Sequence, residues 1–171
     1  MEELLELRGY IEQQNYTEAL DLIGEMEDMS RKSILRNIRT FLVRILVHLI
    51  KNQVEQRLTN SWAASIRGSI LEIQDLNEQH NRVAHYIKPD EWLDYLEMAY
   101  SKALSDASAE VLGGKYSPKK LAQFVDKQVL YQTTIKMLVE THRLDTMALS
   151  EAIDAQLLLL LGGDEWGHGR N

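Results

Sequence analysis

The chain has 171 residues, 44% of them hydrophobic and 26% charged, with a formal net charge of −7 and no cysteine. That length suffices for one self-contained core. The missing thiols exclude a disulfide framework, thiolate catalysis and Cys-ligated zinc or iron–sulfur centres. The charge is segregated. Residues 1–30 carry nine acids against Arg8, and residues 31–67 carry eight bases against Glu55. The start, Met1-Glu2-Glu3-Leu4-Leu5-Glu6, lacks the basic and then apolar pattern of a secretory leader. The most apolar windows, 41–50 and 155–161, are too short to span a bilayer, so a soluble, cytoplasmic protein without membrane contact is expected.

Apolar residues recur at spacings of three and four, and only two prolines interrupt them. This predicts an all-α chain, a single-domain bundle of six to seven helices around a long antiparallel helix pair. The first helix is expected over Glu2 to about Gln13, with Leu4, Leu5, Leu7 and Ile11 facing inward. Asn15 with Glu18 forms a capping-box pattern that opens a second helix to about Met29. Ser30 is expected to cap a third, running to about Gln56. Thr59, Asn60 and Ser61 make a polar break before a fourth helix with Trp62, Ile66, Ile70 and Ile73 inward and Leu76 at its end.

Residues 77–88 are polar and irregular. Pro89, followed by Asp90 and Glu91, suits the first turn of a fifth helix that Gly113-Gly114 ends near Leu112. Ser117-Pro118 opens a sixth helix to about Thr141. A seventh is expected from Asp145 to Leu161, stopped by Gly162-Gly163, and residues 164–171 read as a frayed tail.

Glu25-Met26-Glu27-Asp28-Met29 precedes a basic helix that ends His48-Leu49-Ile50-Lys51-Asn52-Gln53, and Ser61-Trp62-Ala63-Ala64-Ser65-Ile66-Arg67 follows. In this order the segments resemble the bacterial domain-of-unknown-function family 29, and Ala99-Tyr100-Ser101-Lys102-Ala103 resembles that family's AYxxA helix. The resemblance covers residues 5–115, leaving 116–161 as additional C-terminal helices. Asn52 stands where the family usually has an aromatic, and Gly68 where it has a polar or charged residue. The resemblance implies a helical fold and no known reaction.

Candidate polar residues are Glu27, Arg44, His48, Lys51, Trp62 and Arg67. Arg36, Thr40, Arg44, His48 and Asn52 recur every fourth residue, which places them on one helix face with Lys51 beside it. That face either binds an anion or is neutralised by the acids of the first two helices. Trp62 is expected to plug the core and Arg67 to pair with Glu25 or Glu27. No catalytic residue is assigned. No metal site is expected either: His48, His80, His85, His142 and His168 have no ligand spacing, and Glu165-Trp166-Gly167-His168 occurs once, in the tail. No cofactor motif is present.

The run Leu157 to Leu161 covers more than one helix face, so Leu157, Leu158, Leu160 and Leu161 are candidates for core burial or an oligomer contact. The leading functional expectation is a non-catalytic module for protein–protein contact or self-association. The alternatives are nucleic-acid or polyanion binding through the basic 31–67 hairpin, and a hydrolase using His48 with Arg44 and Lys51.

Overall fold

The computed structural model describes residues 1–79 and 84–169. These residues are helical throughout, with eight α-helices, two short 3-10 turns and no strand; the one β-type contact is an isolated bridge between Glu78 and His85. No helix among them is long and apolar enough to cross a membrane. The chain divides into two compact units, Met1–Asn37 and the remainder from Ile38 onward.

The N-terminal unit holds α1 (Glu2–Glu12) and the first part of α2 (Tyr16–Glu55). Gln14 takes the left-handed conformation (φ 57°), and Asn15 N–H closes the turn on the Tyr10 carbonyl at 2.8 Å. The Tyr10 hydroxyl donates to Glu6 Oε1 at 3.0 Å, and that hydrogen bond and charge, with the smaller contributions of Glu18 and Glu25, raise its phenol pKa. The expected inward stripe of α1 is not buried. Leu4, Leu5 and Ile11 are exposed, Leu7 is half-buried, and α1 has no fully buried residue. A unit of two helix segments supplies one seam, and Ala19 is the residue sealed into it.

No helix boundary occurs at Ser30, which lies inside the 40-residue α2. A serine costs a helix interior only about 0.5 kcal/mol relative to alanine. Extending the existing hydrogen-bond ladder across it avoids a second costly nucleation.

In the second unit α2 contributes a wide buried face, including Ile38, Leu42, Ile45, Leu46, Leu49 and Ile50. Gln56 (φ 54°) ends the helix. Thr59 Oγ1 then accepts the Trp62 N–H at 3.1 Å and starts α3 (Asn60–Asn77), whose buried stripe of Trp62, Ile66, Ile70 and Ile73 is the expected one; Leu76 is half-buried. Asn77 fastens the following segment by donating to Ile87 O at 2.9 Å and accepting from Ile87 N at 2.7 Å.

The helix expected from Pro89 begins at Trp92 instead: α4 (Trp92–Glu110) follows a turn over 89–91. It buries Trp92, Leu96, Ala99, Ala103 and Ala107, and a 3-10 turn with left-handed Leu112 and Gly113 ends it. The single sixth helix is replaced by two, α5 (Pro118–Leu121) and α6 (Lys127–Glu140). Asp126 caps α6 by accepting Val129 N–H, while the Gln53 amide clamps the Asp126 backbone in both directions at 2.9 and 3.2 Å. A local cap and a long-range clamp together hold that residue out of helical conformation.

Asp145 caps α7 (Thr146–Leu158), which packs on α3 and α6, and α4 packs on α5 and α6. The expected frayed tail contains a short helix, α8 (Gly163–Gly167).

Candidate functional site

The second unit brings three of the six polar candidates together. His48 and Lys51 sit one turn apart near the end of α2, and Trp62 enters from the first turn of α3. Trp62 is buried, and two cations flank its ring: Lys51 Nζ at 4.7 Å and Arg57 Cζ at 4.8 Å from the centroid. Each such contact contributes roughly 0.5–2 kcal/mol, more when shielded from water. The Lys51 side chain is only 12% exposed and pairs with Glu110 Oε2 of α4 at 2.7 Å. Arg57 pairs with Glu55 at 3.1 Å.

The His48 ring stacks toward Trp62 at 6.5 Å. Burial first, then the adjacent Lys51 and more weakly Arg44, push its pKa down to about 4 against the opposing pull of Glu110. Its Nδ1 is buried without a hydrogen-bond partner among the described residues. At neutral pH this imidazole is uncharged, with no proton to deliver as a general acid and little affinity for one as a base. The cations beside it already hold a carboxylate or an aromatic face, so the cluster as built locks α2, α3 and α4 together.

The other three candidates have surroundings of their own. Arg44 is exposed, its guanidinium 5.2 Å from the Phe41 ring. Arg67 pairs with Asp154 of α7 at 2.7 Å rather than with Glu25 or Glu27, because the packing of α7 on α3 delivers an acid that sequence distance hides. Glu27 is exposed in the N-terminal unit. Lys51, Arg57 and Arg67 thus find their acids at Glu110, Glu55 and Asp154, not among the acids of residues 1–30 as the charge segregation implied. Asn52, at the end of the four-residue stripe, is buried and donates to Arg57 O at 3.0 Å and Leu161 O at 2.7 Å.

The leucine run divides. Leu157 is fully buried in the chain; Leu158 and Leu161 are exposed, Leu160 is half-buried and Leu159 is 86% exposed. Leu159, Leu160 and Leu161 rim a cleft of about 170 Å³ with Leu49, Val129 and Leu130. The helix stops at Leu158, short of the expected Leu161, and Gly162 (φ 71°) brings the chain against the Arg57–Leu58 backbone.

Sequence reasoning missed a second histidine arrangement. Trp92 Nε1–H donates to His142 Nε2 at 2.9 Å, and His85 lies edge-on to the His142 ring at 4.4 Å. Burial and His85 bring the His142 pKa down to about 4. With Nε2 accepting, the proton of the neutral ring sits on Nδ1, which is buried and has no hydrogen-bond partner among the described residues. His142 lies fifty positions from Trp92 and further still from His85, and no local spacing announces the group. His80 lies outside the described residues. Among those described, no group of three or more metal-ligating side chains converges.

A family model described as "Domain of unknown function DUF29" matches residues 11–134. No curated protein and no solved structure matches the chain.

Proposed function

Because the chain belongs to the DUF29 family, whose function is unknown, we propose as our own reading a non-catalytic helical module that acts by protein–protein contact through its N-terminal unit. The observation that carries it is the apolar surface of that unit. Tyr16, Leu20 and Ile23 of α2 are 59%, 67% and 36% exposed, and Leu4, Leu5 and Ile11 of α1 join them. Stretches below about 40 residues rarely hold a fold without added support. A two-helix unit with one sealed residue gains its stability from whatever covers its apolar faces.

The second unit is, in our reading, a bundle laid around the antiparallel pair of α3 and the part of α2 beyond Ile38. The exposed Leu158, Leu159 and Leu161 give a second, smaller apolar patch. Polyanion binding has less support, since Lys51, Arg57 and Arg67 are engaged within the chain. The hydrolase reading is weaker for the same reason and because His48 is uncharged near neutrality.

Native mass spectrometry of gently purified protein tests the module. The expected result is a species heavier than 19.7 kDa. Leu20→Glu combined with Ile23→Glu should return it to the monomer mass with the helical signal retained. A wild type that stays at monomer mass at about 100 µM, or a double variant that still assembles, would remove the proposal; interfaces of ordinary size hold well below that concentration.

A further inference from the structure

We infer that the occupant of this surface is a second copy of the chain, with the α2 segments of two N-terminal units pairing antiparallel about a two-fold axis at the level of Met29. This rests on the docking reading above and specifies its partner.

At ~100° per residue, the α2 residues of this unit fall into two faces. Ala19, Leu22 and Met26 share the side that carries the buried Ala19. Tyr16, Leu20, Ile23, Gly24, Glu27, Arg31, Ile34 and Leu35 share another, centred on Leu20. The first three of these, with Gly24, Glu27 and Arg31, are exposed, and Ile34 and Leu35 are half-buried. This second face is therefore built as a helix-packing surface that the unit itself leaves largely in solvent.

Its charges identify what fits it. Within α2 of this unit every acid precedes every base: Glu18, Asp21, Glu25, Glu27 and Asp28, then Arg31, Lys32 and Arg36. A second copy laid parallel would set acids against acids. Laid antiparallel, the same sequence is its own complement, as a two-fold interface requires. With the axis level with Met29, Glu27 of one copy meets Arg31 of the other, twice. Glu27 and Arg31 are also four apart on their own helix, so the four side chains close a ring of alternating charge.

The same register sets Ile23 level with Leu35 of the second copy and Ile34 level with Gly24. Gly24 gives the independent support. It sits in the middle of a long helix, where glycine costs about 1 kcal/mol against alanine. Among the described residues nothing beyond its own helix turn lies within 4 Å of where its Cβ would be. No packing among those residues accounts for a glycine there. A facing Ile34, brought close by the missing side chain, does.

The test uses the full chain and reads mass by native mass spectrometry, with the dimer dissociation constant from sedimentation. The wild type is expected at twice 19.7 kDa. Glu27→Arg makes the ring wholly basic and Arg31→Glu makes it wholly acidic, so each variant alone should dimerise at least about tenfold more weakly. Their equimolar mixture should restore a dimer containing one of each. Gly24→Leu should raise helical content yet weaken the dimer, opposite signs that a purely structural glycine would not produce. A complex containing a different protein overturns the inference while leaving the docking reading intact. So does a dimer indifferent to all three changes, which would use another register or face. A bare monomer ends both.

Discussion

The glycine at 162 shows how one residue lets two distant stretches of backbone approach closely. A Cβ there would stand 2.8 Å from the Arg57 Cα, and one on Gly163 would meet the Leu158 carbonyl. Gly162 also takes a left-handed φ of 71°, which L side chains rarely adopt. Gly162→Ala should therefore destabilise the chain by about 2 kcal/mol, read as a lower urea midpoint at unchanged slope. The sequence placed the helix end at Leu161 before Gly162-Gly163, whereas α7 ends at Leu158 and Gly162 caps α8. The need for glycine at 162 was not legible, because the backbone that forbids a side chain there, at Arg57 and Leu58, is about a hundred positions away. Asn52 is similar: it looked like one member of a polar stripe, and the fold makes it a buried clamp on the Arg57 and Leu161 carbonyls.

Among the elements, the capping residues Thr59, Ser117 and Asp145 all cap where the sequence placed starts. Ser30 does not, although its residue type is equally suitable. Capping chemistry permits a boundary and cannot compel one when an apolar repeat continues through it. Arg31→Pro separates the two situations. At the first position of a helix capped by Ser30, proline would be tolerated. Inside a continuous α2 it costs about 3 kcal/mol and breaks the ladder, and we expect a clear loss of far-ultraviolet helical ellipticity. The converse error came at Asp126, where a readable cap was overlooked and the Gln53 clamp reinforces the break.

For the whole molecule, stability carries a pH dependence set by two histidines in different parts of the second unit. His48 and His142 titrate near 4 when folded, against an ordinary value of 6.5. The unfolded chain then binds more protons between those values. Stability is accordingly full above pH 6.5 and falls as pH drops toward 4. The loss is on the order of 1–2 kcal/mol per ring, allowing for its partial contact with water. Urea titrations at pH 7, 5.5 and 4.5 should show this decline, and His142→Gln should flatten part of it. A midpoint that does not change over that range would contradict the buried neutral state of both rings.

Helix periodicity, two prolines and cap residues were enough to establish an all-helical chain and the buried stripe of α3, because those depend on neighbours three or four residues away; the family was legible separately, as a resemblance of short motifs in a fixed order. Charge segregation was equally plain. Which acid meets which base was not: Glu110 reaches Lys51 and Asp154 reaches Arg67 only once α4 and α7 are in place. The same holds for the Trp62 cluster, the Trp92–His142 bond and the sorting of leucines between core and surface. These are contacts between distant segments, set by how helices pack rather than by the pattern along any one of them, and only the tertiary structure decides them.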